Sequence, residues 1–168
     1  MVKDFKIAVI GSGTMGNGIA HVSGQSDFRT LLIDINEAQL NKALHTIGKN
    51  LDRQINKNII SKSDKENILK NISINTDIKS CKDMDLVIEA VPEKYDLKAS
   101  IFKQLDDICK ESTILASNTS SISISNLGNQ TKRPQNIIGM HFMNPVPIMK
   151  LVEVIKTIHT SQATIKAI

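Results

Sequence analysis

Short apolar runs alternate along this chain with longer segments in which apolar residues recur every third or fourth position. The runs at Phe5–Ile10, Thr30–Ile35, Ile72–Ile74, Asp85–Val91, Thr113–Ser117, Asn136–His141 and Met149–Ile155 predict strands. Between them the spacing changes to that of helices. One is expected from about Thr14 to Ser23. A longer one starts near Asn36, where Leu40, Ala43, Ile47, Leu51 and Ile55 share a face. A third covers Lys94–Cys109 with Leu97, Ile101, Phe102, Leu105 and Ile108. Ser63 and Glu66 read as a capping box opening a further helix toward Leu69, and the Asn/Lys/Ser-rich stretch Asn56–Ser63 reads as an exposed turn. Strands alternating with helices predict βαβ units joined by right-handed crossovers: an α/β fold, a doubly wound and mostly parallel sheet with helices on both faces.

The first strand runs into Gly11-Ser12-Gly13-Thr14-Met15-Gly16 and then into the first helix. Strand, tight glycine turn and helix N-terminus in that order suit a dinucleotide pyrophosphate. Gly11 permits the turn, Gly13 lets the backbone approach the phosphates, and Gly16 lets helix and strand pack closely, while free N–H groups and the helix dipole face the anion. A G-x-G-x-x-G motif alone is often only a turn. Here Asp34 follows 18 residues after Gly16, closing the second apolar run, where a carboxylate accepts hydrogen bonds from an adenosine ribose diol and repels a 2′-phosphate. With no Arg or Lys in Asp34-Ile35-Asn36, the expected cofactor is NAD rather than NADP.

Ligands of open α/β sheets bind at the carboxyl ends of the strands, and polar residues collect there at three places. These are Glu89–Lys94, Ser117–Ser121 and His141–Pro145. Removing a hydroxyl proton while hydride leaves the same carbon needs a base near neutrality, which imidazole supplies. His141 is the only histidine at such a strand end; His21 and His45 fall within expected helices and His159 lies beyond the last strand. A lone histidine there is more often structural than catalytic. Glu153 is a carboxylate inside an apolar run, expected to be buried there, and burying an unpaired carboxylate is expensive, so it should have a partner. If its strand pairs with that of His141, it can orient the imidazole. The hydroxyls after Asn118 can donate to a substrate oxygen that gains charge.

Composition narrows the partners. The 168 residues suffice for one domain with a substantial core. No apolar run reaches membrane-spanning length, and with Lys3, Asp4 and Lys6 leading straight into the first strand no signal peptide is expected. Cys81 and Cys109 lack metal-type spacing and read as free thiols of a cytoplasmic protein; no metal is expected. Trp is absent and Phe plus Tyr total five, so nothing suggests aromatic stacking on bases, and a nucleic-acid partner is not the expectation. The net charge of +4 is concentrated between Lys42 and Lys70, with seven Lys/Arg against three acids. That stretch is either a solvated helix face or a surface for a phosphate-rich ligand or nucleic acid, and charge alone does not choose.

The glycine motif, Ala116–Ser121, Gly139–Pro145 and Met149–Ile155, in this order and spacing, resemble the NAD-binding, Rossmann-like domain of the 3-hydroxyacyl-CoA dehydrogenase family, whose bacterial members include 3-hydroxybutyryl-CoA dehydrogenases. The similarity covers nearly all 168 residues. It implies reversible, NAD-dependent oxidation of an (S)-3-hydroxyacyl-CoA to the 3-oxoacyl-CoA, a reaction of fatty-acid metabolism and β-oxidation. By position it implies His141 as general acid/base, Glu153 as its orienting partner, and Ser120 touching both substrate oxygen and nicotinamide. Asp34 would hold the adenosine ribose, with Glu89, Lys94, Asn118 and Asn144 on the nicotinamide side. The long second helix would meet CoA through Lys57 and Asn50, the latter standing where some relatives place serine. The family also has a C-terminal all-helical domain that closes the cleft and makes most of a homodimer interface. The 168 residues correspond to the NAD-binding domain alone, so the expectation is NAD binding with little turnover. Two other readings stay open: a crystallin-like NAD-binding structural module, and a β-hydroxyacid dehydrogenase acting on free acids.

Overall fold

A computed structural model describes residues 5–168. Seven strands form one sheet: β1 (Lys6–Ile10), β2 (Arg29–Ile33), β3 (Ile72–Asn75), β4 (Leu86–Glu89), β5 (Ile114–Ser117), β6 (Ile137–Phe142) and β7 (Val152–Ile155). Their order across the sheet is β3-β2-β1-β4-β5-β6-β7, parallel throughout except for the β6–β7 pair. Six helices accompany them: α1 (Thr14–Gln25), α2 (Glu37–Asn56), α3 (Lys62–Lys70), α4 (Tyr95–Ile108), α5 (Ile124–Gly128) and α6 (Gln162–Ala167). Short 3₁₀ turns at Ile78–Asp83 and Pro134–Asn136, which apolar periodicity does not signal, complete the chain.

The expected doubly wound α/β fold is the observed one, and period-2 alternation explains it. In β1, Ile7 and Val9 join a core formed with Ile19, Leu40, Ile47 and Leu51 of α1 and α2. Ala8 and Ile10 point the other way, into a second core built with Ile101, Phe102, Leu105 and Leu127 of α4 and α5. Both faces are therefore covered, which is why the interior strands are apolar at nearly every position. Cys81 and Cys109 are buried free thiols, as expected; burial pushes them up to about 12 and about 11.

α2 starts where expected, after Asn36, whose side chain accepts from the Gln39 N–H at 3.2 Å. Two other boundaries shift. The capping box of α3 lies two residues earlier than expected: Ser61 Oγ accepts from Asp64 N at 3.1 Å, and Asp64 Oδ2 accepts from Ser61 N at 2.8 Å. Ser63 only shares a hydroxyl bond with Ser61. The last strand is shorter than Met149–Ile155 and forms an exposed edge, with Val154 at 47% accessibility. Among the described residues no helix is long and apolar enough to cross a membrane.

Candidate active site

The strand order reverses between β1 and β4, so the crevice of this sheet opens at their carboxyl ends. A cleft of about 850 Å³ lies there, lined by Gly11–Met15, Asp34 and Ile35 on one side and by Val91, Pro92 and Leu97 on the other. Gly11 has φ +97°, and a Cβ on it would sit 2.9 Å from the Ala90 carbonyl oxygen. A Cβ on Gly16 would lie 1.7 Å from Gly11 O, so α1 reaches the turn only because Gly16 has no side chain. Gly13 is the N-cap of α1; no side chain caps the helix, and its first turn holds no acid. Its orphan N–H groups and positive dipole end are therefore free for an anion.

Asp34 stands across the turn. Its Oδ2 accepts from Ser12 N and Ser12 Oγ, each at 2.8 Å, and its Oδ1 from Asn36 N at 3.0 Å. Partial burial pushes this carboxyl up, but those hydrogen bonds prevail and hold it below the usual range. Acceptor capacity remains for a ribose diol. An uncapped helix end, an open face at Gly13 and an ionised Asp34 fit a dinucleotide.

Parallel register brings the other strand ends to the same rim. Ile10 stands beside Glu89, Glu89 beside Ser117, and Ser117 beside Gly139, two residues before His141. In the antiparallel β6–β7 pair His141 faces Glu153, and His141 Nδ1 lies 2.8 Å from Glu153 Oε2. The sequence argument pairs these two correctly for a reason that needs amending. Glu153 is not buried; its side chain is 53% exposed on the edge strand. Asn118 attaches the end of β5 to this strand, its Oδ1 accepting from Phe142 N at 2.8 Å.

Other expected residues are placed differently. Asn144, joined to Pro145 by a cis peptide, and Asn50 line a second cleft of about 320 Å³ between α1 and α2, which shares Ser12, Gly13 and Thr14 with the first. Lys57 is exposed at the C-cap of α2, and Lys94 is exposed at the N-cap of α4; neither lines these two clefts. Glu89 is fully buried, its oxygens taken up by Lys98 Nζ (2.7 Å), Val91 N (2.7 Å) and Ser117 Oγ (2.6 Å). Ser120 is exposed, and its backbone N–H donates to Glu93 Oε1 at 3.2 Å.

Sequence reasoning missed Glu93 and Lys98. Glu93 Oε1 also accepts from the Thr119 hydroxyl and from Ser121 N and Oγ, while Glu93 Oε2 lies 3.3 Å from Lys98 Nζ. Burial pushes the Glu93 carboxyl up, yet the Thr119 hydroxyl, the Lys98 cation and the Ser121 hydroxyl outweigh it and hold it at about 2. A signal existed: Lys98 stands three, four and seven residues before Ile101, Phe102 and Leu105, on the apolar face of α4. A lysine there must find buried acceptors.

Comparison with known proteins agrees with this geometry. Residues 6–168 match the family described as 3-hydroxyacyl-CoA dehydrogenase, NAD binding domain, and the chain belongs to that family. It is 47% identical over 159 residues to the 3-hydroxybutyryl-CoA dehydrogenase of Clostridioides difficile, covering 95% of this chain and 57% of that protein. The mitochondrial hydroxyacyl-coenzyme A dehydrogenase of Sus scrofa is 42% identical over 169 residues, covering 96% of this chain and 54% of the relative. The crystal structure of (S)-3-hydroxybutyryl-CoA dehydrogenase from Ralstonia eutropha superposes with a TM-score of 0.94 at 44% identity, covering 96% of this chain and 57% of that one. The chain thus spans just over half the length of these relatives.

Proposed function

We propose that this chain supplies the NAD-binding and acid/base half of a dehydrogenase that oxidises (S)-3-hydroxyacyl-CoA, in particular 3-hydroxybutyryl-CoA, reversibly to the 3-oxoacyl-CoA. The observation that carries the reading is the 2.8 Å contact between His141 Nδ1 and Glu153 Oε2 at the same sheet rim as the uncapped α1 turn. With Nδ1 held, Nε2 is the nitrogen left for proton transfer. Glu153 fixes the ring orientation and stabilises the imidazolium that forms when Nε2 takes the hydroxyl proton of the substrate. The Ser120 side chain, on a loop held by Glu93, donates to the same substrate oxygen. Bound NAD would supply the acceptor for the hydride leaving C3. The α1 N-terminal turn and Asp34 hold the pyrophosphate and the adenosine ribose; Asn118, at the end of β5 beside the His141 strand, is the asparagine kept for the nicotinamide side, since Asn144 lines the α1–α2 cleft.

The α1–α2 cleft with Asn50, continued along the basic face of α2 toward Lys57, suits the polar and phosphorylated length of CoA. Lys42 also lines this cleft. A structural module would need NAD contacts but no imidazole–carboxylate pair, which favours the enzyme. His141 and Glu153 are 24% and 53% exposed. On this reading a covering helical domain of the family's kind, which would also bring two subunits together, is what keeps water from the reacting centre, and residues 1–168 by themselves turn over slowly.

The test is a single-turnover experiment with the chain in excess over NADH and saturating acetoacetyl-CoA, following loss of reduced nicotinamide. His141→Ala should slow the step by about 10²–10⁴-fold, the usual worth of a positioned acid/base. An unchanged rate constant eliminates His141 as the proton carrier.

A further inference from the structure

Between β4 and α4 lies a charged cluster that touches neither cleft directly. Glu89 and Lys98 are both 0% exposed. Lys98 Nζ meets three oxygens: Glu89 Oε1 at 2.7 Å, the Val91 carbonyl at 3.1 Å and Glu93 Oε2 at 3.3 Å. Glu89 Oε2 takes the Ser117 hydroxyl on the adjacent strand. Two carboxylates therefore surround one ammonium, which donates hydrogen bonds to Glu89 and Val91 and forms an ion pair with Glu93. Only Glu93 among them reaches the rim, where one oxygen collects donors from Thr119, Ser120 and Ser121.

Buried ion pairs are weak stabilisers, because desolvation offsets most of the attraction and a well-packed apolar pair of similar volume folds as well. Stability alone is thus a poor account of the cluster. What it does provide is a rigid path from the centre of the sheet to the Ser120 loop. Lys98 fixes the β4–α4 turn through Val91 and sets the Glu93 carboxylate at the same time.

We propose that Glu89 is a positioning residue: from inside the sheet it anchors Lys98, and through Lys98 and Glu93 it sets the backbone that carries the Ser120 hydroxyl. The assignment rests on reading Ser120 as part of the site, but its test requires no turnover. The ¹⁵N-labelled chain is compared with Glu93→Gln and with the double variant Glu89→Gln/Lys98→Met, which removes both buried charges together. Amide solvent exchange is read at Ser120 and Ser121, and at Leu32 and Ile47 as core references.

Both variants should accelerate exchange at Ser120 and Ser121 by about fivefold, the equilibrium equivalent of one lost hydrogen bond, with the core amides unchanged. Acceleration in Glu93→Gln alone overturns the role of Glu89, since Glu93 would then hold the loop unaided. A parallel rise at Leu32 and Ile47 also overturns it, because the pair would be merely structural. If the double variant does not fold, Ser117→Ala, which removes only the hydroxyl on Glu89 Oε2, should give the same local acceleration; no change there counts against the proposal. A normal rate in His141→Ala would fault the catalytic reading and leave this result intact.

Discussion

Replacing either of two glycines in the first turn by alanine should separate folding from cofactor binding. A methyl on Gly16 would start 1.7 Å from Gly11 O and 2.9 Å from Gly11 C, where ordinary contact needs more than 3 Å. Helix α1 would have to recede by well over 1 Å, an overpacking strain of about 1–3 kcal/mol at the upper end of its range because backbone must move. Alanine recovers up to about 1 kcal/mol of helix propensity. The net destabilisation is about 2 kcal/mol, a fall in Tm of roughly 4–8 °C for a chain of this size. Gly13 is the opposite case. Its φ of −64° and ψ of −168° suit alanine, and no atom lies within 4 Å of the added methyl. Weaker N-capping and reduced unfolded-state entropy nearly cancel, leaving stability within about 0.5 kcal/mol of the parent. On the proposed placement of the pyrophosphate that methyl stands in its path, so NADH should bind roughly 5- to 150-fold more weakly, the equivalent of about 1–3 kcal/mol of steric conflict. Thermal unfolding and fluorescence titration with NADH read the two quantities. Parent-like NADH affinity in Gly13→Ala would refute the placement of the pyrophosphate, and parent-like stability in Gly16→Ala would refute the packing argument.

Three further outcomes are expected. Asp34→Ala should narrow the preference for NADH over NADPH in paired titrations, since the carboxylate that repels a 2′-phosphate is gone; an unchanged ratio counts against Asp34 as the ribose ligand. His21 is fully buried with Nδ1 unpartnered and Nε2 3.4 Å from Gln54 Nε2, and burial lowers its pKa below 6.5 against the smaller opposing effect of the Gln25 side chain. The unfolded chain therefore takes up the proton first, so stability is lost as pH falls below 6.5; urea midpoints measured downward from pH 7 should decline less steeply in His21→Leu. Glu93 is held at about 2 against an ordinary 4.5, so its contribution is complete above 4.5 and lost as pH falls toward 2. Glu93→Gln should lower the acid resistance of the chain modestly, the carboxylate being partly solvated, and a parent-like acid midpoint would deny Glu93 its partners.

The sheet was legible because each interior strand is buried on both faces and so reads as an unbroken apolar run. The helices α2 and α4 were legible from their faces at Leu40–Leu51 and Ile101–Leu105. Local polar grammar was not decisive: Ser61 and Asp64 satisfy a capping box as well as Ser63 and Glu66 do, and the choice depends on where α3 packs Ile68 into the core. The glycine turn, Asp34 and the His141–Glu153 pair were readable because each depends on a short span or on one strand register. Lys98 and Glu93 were not, because their partners come from β4, β5 and the following loop, and a lysine on a helix is ordinarily solvated. Periodicity also cannot tell an interior strand from an edge, which is how Glu153 came to be expected inside.

The imidazole and its carboxylate oppose each other as rungs of one antiparallel ladder rather than meeting through loops. Their alignment is consequently indifferent to the length of the segment joining the two strands and acutely sensitive to slippage between them: a shift of β7 by a single residue turns Glu153 to the opposite face. Insertions between Asn144 and Leu151 should be absorbed wherever the hydrogen-bonded rungs reform, whereas one extra residue inside Val152–Ile155 would separate Glu153 from His141 without touching either side chain.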